Sequence, residues 1–325
     1  MQLLKRIKQA CCELRDQSSN LASQPLTGGG SRLIWEAKML WNMLKYGARP
    51  IDYVRFEFHR KSAREKNRYL TILRYFKMKD RFGAAETPIN GKVNEYKTYA
   101  DFIKRDYLIL DATSSADTIE NFLKKHKSAI AKPVSGEQGI GVMKLSEDNK
   151  DTIRELASAI KEKPFILEET VMNCEELKDV NSSSLNTVRV TTLAPREGEA
   201  EVISVILRAG IPGSQVDNWG AGGVGYNFDI ETGICNMPGK DKQNRPYIFH
   251  PGSHVKMIGF ELPRYKELIS YVRKLTKVYP KARYVGWDIA ITPEGFDLIE
   301  MNCPAGHDMF QSFDNPIYDR MKKIK

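Results

Sequence analysis

The chain has 325 residues, 41% of them hydrophobic and 10% aromatic, which excludes a disordered polyelectrolyte and suits two or three packed lobes with a shared core. No segment is apolar over the length a membrane-spanning helix needs, and the opening MQLLKRIKQACCELRD alternates charged with apolar residues, unlike a secretory signal. The formal charge of +9 is concentrated: residues 1–110 hold 22 Lys and Arg against 11 Asp and Glu, and the remainder holds 28 against 30. A basic lobe of this kind suits an anionic membrane, an anionic substrate or nucleic acid, and equally a solvated helical face. Five cysteines, Cys11, Cys12, Cys174, Cys235 and Cys303, are scattered without CxxC or Cys/His spacing. Neither a disulfide framework nor a zinc site is expected, and a reducing cytoplasm suits them.

Residues 33–47 space Leu33, Ala37, Leu40, Trp41 and Leu44 as one helical stripe that stops at Gly47 and Pro50. A second helix is expected over about 62–79, with Tyr69, Ile72, Leu73 and Phe76 on its apolar side. Because those aromatics fall on the apolar stripe, they read as core and not as stacking platforms, which disfavours nucleic acid as the partner. After GAAETPINGK the texture changes: a helix over 115–126, strands AIAKPV and GVMKL, a helix near 147–161 and the strand FILEETV. From residue 187 come TVRVTTL, AEVISVILRAG, GVGYNFDI, a helix near 261–278 and the hairpin DIAITPEGFDLIE. The pattern predicts an α+β chain: a basic, mainly helical region over 1–110, then two α+β lobes over 111–325 that divide near 175.

In the hairpin, reading PEG as a three-residue turn makes Thr292 face Phe296 and Asp288 face Glu300, and the period of two puts Asn302 on the face of Glu300. Opposed carboxylates repel unless a cation lies between them, and hard oxygen donors without His or Cys select Mg2+ or Mn2+. A two-residue turn would instead shift the register by one and part the two acids. KPVSGEQGIGV places Lys132 at a strand end before a loop with Gly136, Gly139 and Gly141, so backbone N–H groups and one cation can close over polyphosphate. The loop joins two strands, unlike the Walker and Rossmann loops, which open helices. FILEETV ends in Glu168 and Glu169, and Glu175 and Glu176 follow, acids able to meet the ribose hydroxyls and amino group of a purine nucleotide.

This order of motifs resembles the ATP-grasp superfamily. SLNTVRVTTL, DNWGAGGVGYNFDIETG and VGWDIAITPEGFDLIEMNCPAGHD resemble its sugar-transfer-associated branch, found with bacterial surface-polysaccharide biosynthesis, over about residues 90–325. The resemblance implies an ATP-grasp fold, ATP and Mg2+ (or Mn2+) as cofactors, and a carboxylate–amine ligase working through an acyl phosphate on a glycan-related acid or amino acid. It implies that Lys132 holds the phosphates under a lid of Gly136, Gly139 and Gly141, and that Glu168 lies at the adenine, with the backbone of Glu169 and Val171 as hinge. Glu175 takes the ribose, Asp288, Glu300 and Asn302 ligate magnesium, and a further phosphate-binding lysine is Lys92 or Lys97. Many ATP-grasp ligases carry arginine two residues before the metal-binding Asp, where this chain has Gly286. The cation that steadies an acyl phosphate then falls to Arg189 or Arg208. His307 is a candidate base, Asn218 and Trp219 open a loop toward an acceptor or a plain glycine turn, and Cys303 lacks a paired base. The alternatives are a kinase acting on a hydroxyl and a non-catalytic nucleotide- or nucleic-acid-binding scaffold. A cytoplasmic location is expected, with the basic region able to dock peripherally at the inner face of the membrane.

Overall fold

The computed structural model describes residues 2–23, 31–82, 91–135, 140–212, 219 and 222–324. The basic first third is helical: α1 (Gln2–Ser23), α2 (Arg32–Tyr46), α3 (Pro50–Arg55), α4 (Ala63–Lys66), α5 (Ile72–Met78) and α6 (Lys92–Thr98). α2 stops where expected, at Gly47, whose φ of 67° lets its N–H reach the Met43 carbonyl. Its buried stripe, however, is Trp35, Met39, Asn42 and Tyr46, and the predicted stripe lies outward, with Leu44 80% exposed. The helix is apolar on two sides, so spacing alone cannot choose between them. The side bearing Trp35 and Tyr46 wins because it meets Tyr53 and Phe58 in an aromatic cluster.

The helix expected over 62–79 is two short ones. Ser62 and Glu65 form a capping box at α4, and Thr71 precedes α5. Between them the Gln311 side chain donates to the Leu70 carbonyl (2.9 Å) and accepts its N–H (2.8 Å), so those backbone groups are unavailable to a continuous helix. Tyr69 is buried as expected, whereas Leu73 and Phe76 are 45% and 54% exposed.

A four-stranded antiparallel sheet follows, built from β1 (Tyr107–Leu110), β2 (Ser128–Pro133), β3 (Met143–Ser146) and β4 (Phe165–Glu169) in the order β1-β4-β2-β3. Helices α7 (Ala116–His126), capped by Ser115, and α8 (Lys150–Ala159), capped by Asn149, cover one face. Phe165 and Leu167 pack on that side and Ile166 on the other, so the alternation of β4 sends Glu168 away from the helices.

After α9 (Glu175–Val180) comes a seven-stranded antiparallel sheet in the order β11-β10-β5-β6-β7-β8-β9. Its strands are β5 (Thr187–Leu193), β6 (Glu201–Ala209), β7 (Val224–Phe228), β8 (Gly239–Lys240), β9 (Pro246–Tyr247), β10 (Tyr284–Ile291) and β11 (Phe296–Asn302). Val190, Leu207, Trp287 and Ile289 face α10 (Tyr265–Val278) in the main core. On the other face Leu193, Ile206 and Tyr284 meet Phe310, Phe313 and Met321, the last on α11 (Tyr318–Lys323). The first third docks here: Leu70, Met78 and Phe82 join this core, Arg55 pairs with Asp308, and Lys61 lies 2.7 Å from Asp314. Part of its basic charge is thus neutralised by acids of the C-terminal segment. Among the described residues no helix is long and apolar enough to cross a membrane.

The β10–β11 hairpin reaches the expected pairing by an unexpected route. Its turn has two residues: Thr292 and Gly295 exchange hydrogen bonds of 2.9 and 3.3 Å around Pro293 and Glu294, and Ile291 faces Phe296. That register would part the acids. A bulge restores it: Ile289 faces Leu298 but Asp288 faces Glu300, with Ile299 the extra residue.

Candidate active site

Asp288 has Arg189 opposite it on β5 and Glu300 opposite it on β11, so all three share a sheet face, and Asn302 follows on that face two residues after Glu300. Arg189 grips the Asp288 carboxylate with two N–H groups, the Nη2 donor at 2.7 Å, and Arg208 Nη2 lies 3.1 Å from the same carboxylate. Thr187 Oγ1 accepts from Arg208 Nη2 at 2.7 Å and fixes its direction. Asp288 is 1% exposed. Burial alone would raise its carboxyl, but the two guanidinium groups outweigh it and hold the group below the usual carboxylate range, ionised.

Gly286 now has a structural reading. A Cβ there would stand 3.1 Å from Arg189 Cδ and 3.5 Å from Nη1, so the glycine leaves the space that the guanidinium arm occupies. A guanidinium from β5 thus lies beside the glycine of β10.

Around this face lies a cleft of about 240 Å³ lined by Arg189, Thr191, Arg208, Trp219, Lys242 and Asp308. Trp219 Nε1 donates to the Lys240 carbonyl at 2.9 Å, and the Arg55 guanidinium lies 4.9 Å from the Trp219 ring centroid. Arg189, Arg208 and Lys242 outnumber Asp308 in the lining, and two of the three also hold Asp288, which leaves a modest cationic excess there.

Beside the hairpin stands a second cluster, most of it invisible from sequence. Arg105, just before β1, reaches Glu168 (Nε 2.7 Å), Asp297 (Nη1 2.8 Å) and the Leu298 carbonyl (2.8 Å). Tyr96 donates to the same Glu168 oxygen, and Lys132 Nζ lies 2.5 Å from the other. Both Glu168 oxygens are therefore engaged, one by Arg105 and Tyr96 and the other by Lys132. Burial, then Asp297, raises the Glu168 carboxyl well above its ordinary value. Burial, then Arg105, pushes the Lys132 amine down to about 7. Glu95 accepts the Met301 N–H at 2.6 Å and is pushed up to about 8 by burial and then by Glu300. Glu300 acts on both Lys132 and Glu95, which joins the end of β2 to the β10–β11 hairpin. The one legible signal for Arg105 and Glu95 was ionisable residues flanking predicted apolar segments, which is too common to select them.

Lys92 and Lys97 now separate. Lys92 Nζ donates to the Pro133 carbonyl at 3.1 Å, next to Lys132, whereas Lys97 is exposed. Gly141 has a φ of 77° and would crowd Pro133 if it carried a Cβ; Gly136, Gly139 and Asn218 lie outside the described residues. Glu169 turns its side chain to the opposite face of the central sheet, 3.4 Å from His126, and Val171 follows the strand end, half-buried. Glu175 is exposed at the start of α9 and pairs with Lys178 at 2.6 Å. His307 is not brought to this cluster: its ring stacks on Tyr75 at 5.0 Å and lies 3.5 Å from Asp52, packing the first third onto the C-terminal segment. Cys303 is raised to about 11 by burial, which argues against thiolate chemistry.

The donor set fits a hard divalent cation. It offers two carboxylates and an amide on one face with no thiolate or imidazole among them. The Asn302 amide also has a buried Nδ2 with no hydrogen-bond partner, and a half-turn of the amide would put an acceptor oxygen in that place.

The model of the family described as sugar-transfer associated ATP-grasp matches residues 100–325. The chain belongs to that family. Its fold is therefore the ATP-grasp fold, two α+β lobes with a helical N-terminal region. Among solved structures this ATP-grasp chain is similar to D-alanyl-alanine synthetase A from Vibrio cholerae O1 biovar eltor, with a TM-score of 0.46 and 17% identity over 72% of this chain and 61% of that one. It is similar to the ATP-grasp ligase PsnB complexed with minimal precursor, Mg and ADP (0.44, 15%, over 80% and 65%). It is also similar to purK, N5-carboxyaminoimidazole ribonucleotide synthetase, in its ADP complex (0.44, 15%, over 70% and 50%). The chain thus spans less than two thirds of the length of these three. A comparison with curated protein sequences found no match.

Proposed function

We propose that this chain is an ATP- and divalent-metal-dependent carboxylate–amine ligase that activates an acid as its acyl phosphate, with a glycan-related acid or an amino acid of surface-polysaccharide biosynthesis as substrate. The observation that carries the reading is the single sheet face on which Asp288, Glu300 and Asn302 stand with Arg189 and Arg208, with Lys132 within electrostatic reach of Glu300.

Asp288 already shares its carboxylate with two arginines, so Glu300 and Asn302 supply the more open donors for Mg2+ or Mn2+. Such an ion, when bound, neutralises phosphate oxygens and orients the triphosphate. Lys132, steadied by Glu168, and Lys92 beside it hold phosphate oxygens. The lid role of Gly136, Gly139 and Gly141 rests on the family resemblance. The hinge role of Glu169 and Val171 and the ribose role of Glu175 rest on the family resemblance. Arg189 and Arg208 hold the acid against the γ-phosphorus and stabilise the charge that develops as its oxygen attacks and the bond to ADP breaks. The amine then attacks the acyl carbon, phosphate leaves and takes up the proton that the nitrogen loses, and the amide forms; a site closed to water protects the acyl phosphate from hydrolysis. Lys242 and Trp219 line the place left for the acceptor.

Product analysis tests the reading. With a panel of uronic acids, amino acids and amines, multiple-turnover ADP release is expected only when both an acid and an amine are present, together with an amide mass. A hydroxyl compound that alone gains a phosphate mass would establish a kinase instead.

A further inference from the structure

The first third keeps an apolar surface that neither its own core nor the nucleotide cleft uses. Leu33, Ile34, Trp41 and Leu44 on α2 and Leu73 and Phe76 on α5 are between 45% and 80% exposed. The two helices meet end to end: the Leu73 N–H donates to the Gly47 carbonyl at 3.3 Å, and a Cβ on Gly47 would stand 2.9 Å from Leu73 Cβ. The exposed Leu73 therefore stands at the end of α2, where the two helices join. A helix apolar on both sides is ordinarily buried on both, and α2 is buried on one.

Cations frame these side chains. Lys45 Nζ lies 5.8 Å from the Trp41 ring centroid and Lys79 Nζ 5.7 Å from that of Phe76, long stems along apolar rings with the ammonium at the rim. Lys38 and Lys77 are also exposed. Against them α2 carries one acid, Glu36, held by Arg32 at 3.1 Å, α5 carries none, and Asp80 follows Lys79 with Arg81 after it.

We propose that this face docks on an anionic phospholipid surface, lying in the plane of the interface with Trp41, Leu44 and Phe76 among the headgroups and upper acyl chains and the lysines on lipid phosphates. Charge selects this occupant. A second copy of the same face would set lysines against lysines, and nucleic acid has no use for leucines between its phosphates. An anionic bilayer satisfies both the apolar and the cationic components at once.

The test is cosedimentation of the full chain with vesicles of phosphatidylcholine alone and of phosphatidylcholine mixed with phosphatidylglycerol, at low and high salt. Binding is expected on the mixed vesicles, about tenfold weaker on the neutral ones and weakened by salt. Trp41→Ser with Leu44→Ser, and separately Lys45→Glu with Lys77→Glu, are each expected to lower the bound fraction about tenfold. Both pairs are expected to leave the melting temperature and ATP affinity unchanged, because all four side chains are exposed and outside the nucleotide site. Vesicle binding does not involve ATP, so it stands or falls separately from the ligase reading. Equal binding to neutral and anionic vesicles, or none to either, would overturn the proposal. So would a dimer in sedimentation velocity that the Trp41/Leu44 pair abolishes, which would make this face an interface between copies.

Discussion

Gly286 and Arg189 share one space: a Cβ on the first would stand 3.1 Å from the Cδ of the second. The position where many ATP-grasp ligases carry arginine is open here so that an arginine from the neighbouring strand can lie over it. Arg189→Lys, which keeps the charge but loses the two-pronged grip on Asp288, is expected to lower the rate of ADP formation about 100-fold while ATP affinity stays within about twofold. Gly286→Ala, which forces the arm aside by a few tenths of an ångström, is expected to cost about tenfold. Steady-state rates with the amide-forming pair of substrates measure both, and an unchanged rate in Arg189→Lys would remove this residue from the chemistry.

Lys132 offers a proton count. Its amine is held down to about 7 by burial and by Arg105, so at about pH 8.5 it is mostly neutral, and a triphosphate placed beside it favours the charged form. ATP binding is therefore expected to take up a proton at that pH. Calorimetry in buffers of different ionisation enthalpy measures the uptake, and Lys132→Met is expected to abolish that contribution.

Glu95 gives the stability of the chain a pH slope. A carboxyl raised to about 8 on folding stays protonated where the unfolded chain is already ionised, so its contribution is full below about pH 4.5 and is lost as pH climbs toward 8. Glu168 shifts in the same direction. Lys132, lowered to about 7, acts oppositely, adding stability as pH rises from about 7 toward 10.5. Urea midpoints between about pH 5 and 7 are thus expected to fall in the wild type and to fall less steeply in Glu95→Gln. A parallel slope in the variant would show that Glu95 ionises freely.

Arg105 ties the central sheet to the hairpin through Glu168 and Asp297, all three buried. Arg105→Met leaves the buried Asp297 without its cation and Glu168 with Lys132 and Tyr96 alone, and is expected to cost about 3 kcal/mol in urea unfolding. Adding Glu168→Gln and Asp297→Asn is expected to recover part of that loss.

Much of this arrangement was legible in the sequence, for physical reasons that vary by element. The apolar runs TVRVTTL and AEVISVILRAG show that Arg189 and Arg208 stand on strands of one lobe, but both strands are buried on both faces, so the face that carries the two arginines comes from the pairing of β5 with β6 and β10. The opposition of Asp288 and Glu300 was also foreseen, yet the turn is one residue shorter than expected and the Ile299 bulge compensates, a device no spacing rule reveals. α2 misled because both of its sides are apolar, and only the aromatic partners Tyr53 and Phe58 decide which is buried. The contacts of His307 with Tyr75 and of Glu168 with Arg105 join residues about 230 and 60 positions apart, beyond any local pattern.

The most direct measurement is ATP titration by calorimetry with and without Mg2+, on the wild type, Glu300→Gln and Asn302→Leu. These two positions are chosen because Asp288 is also buried in an arginine pair, where substitution disturbs the fold. If the hairpin face gathers a divalent cation around the triphosphate, Mg2+ strengthens wild-type ATP binding by about tenfold or more, and each substitution removes most of that gain while leaving metal-free affinity and melting temperature in place. The same Mg2+ dependence in both variants as in the wild type would contradict it.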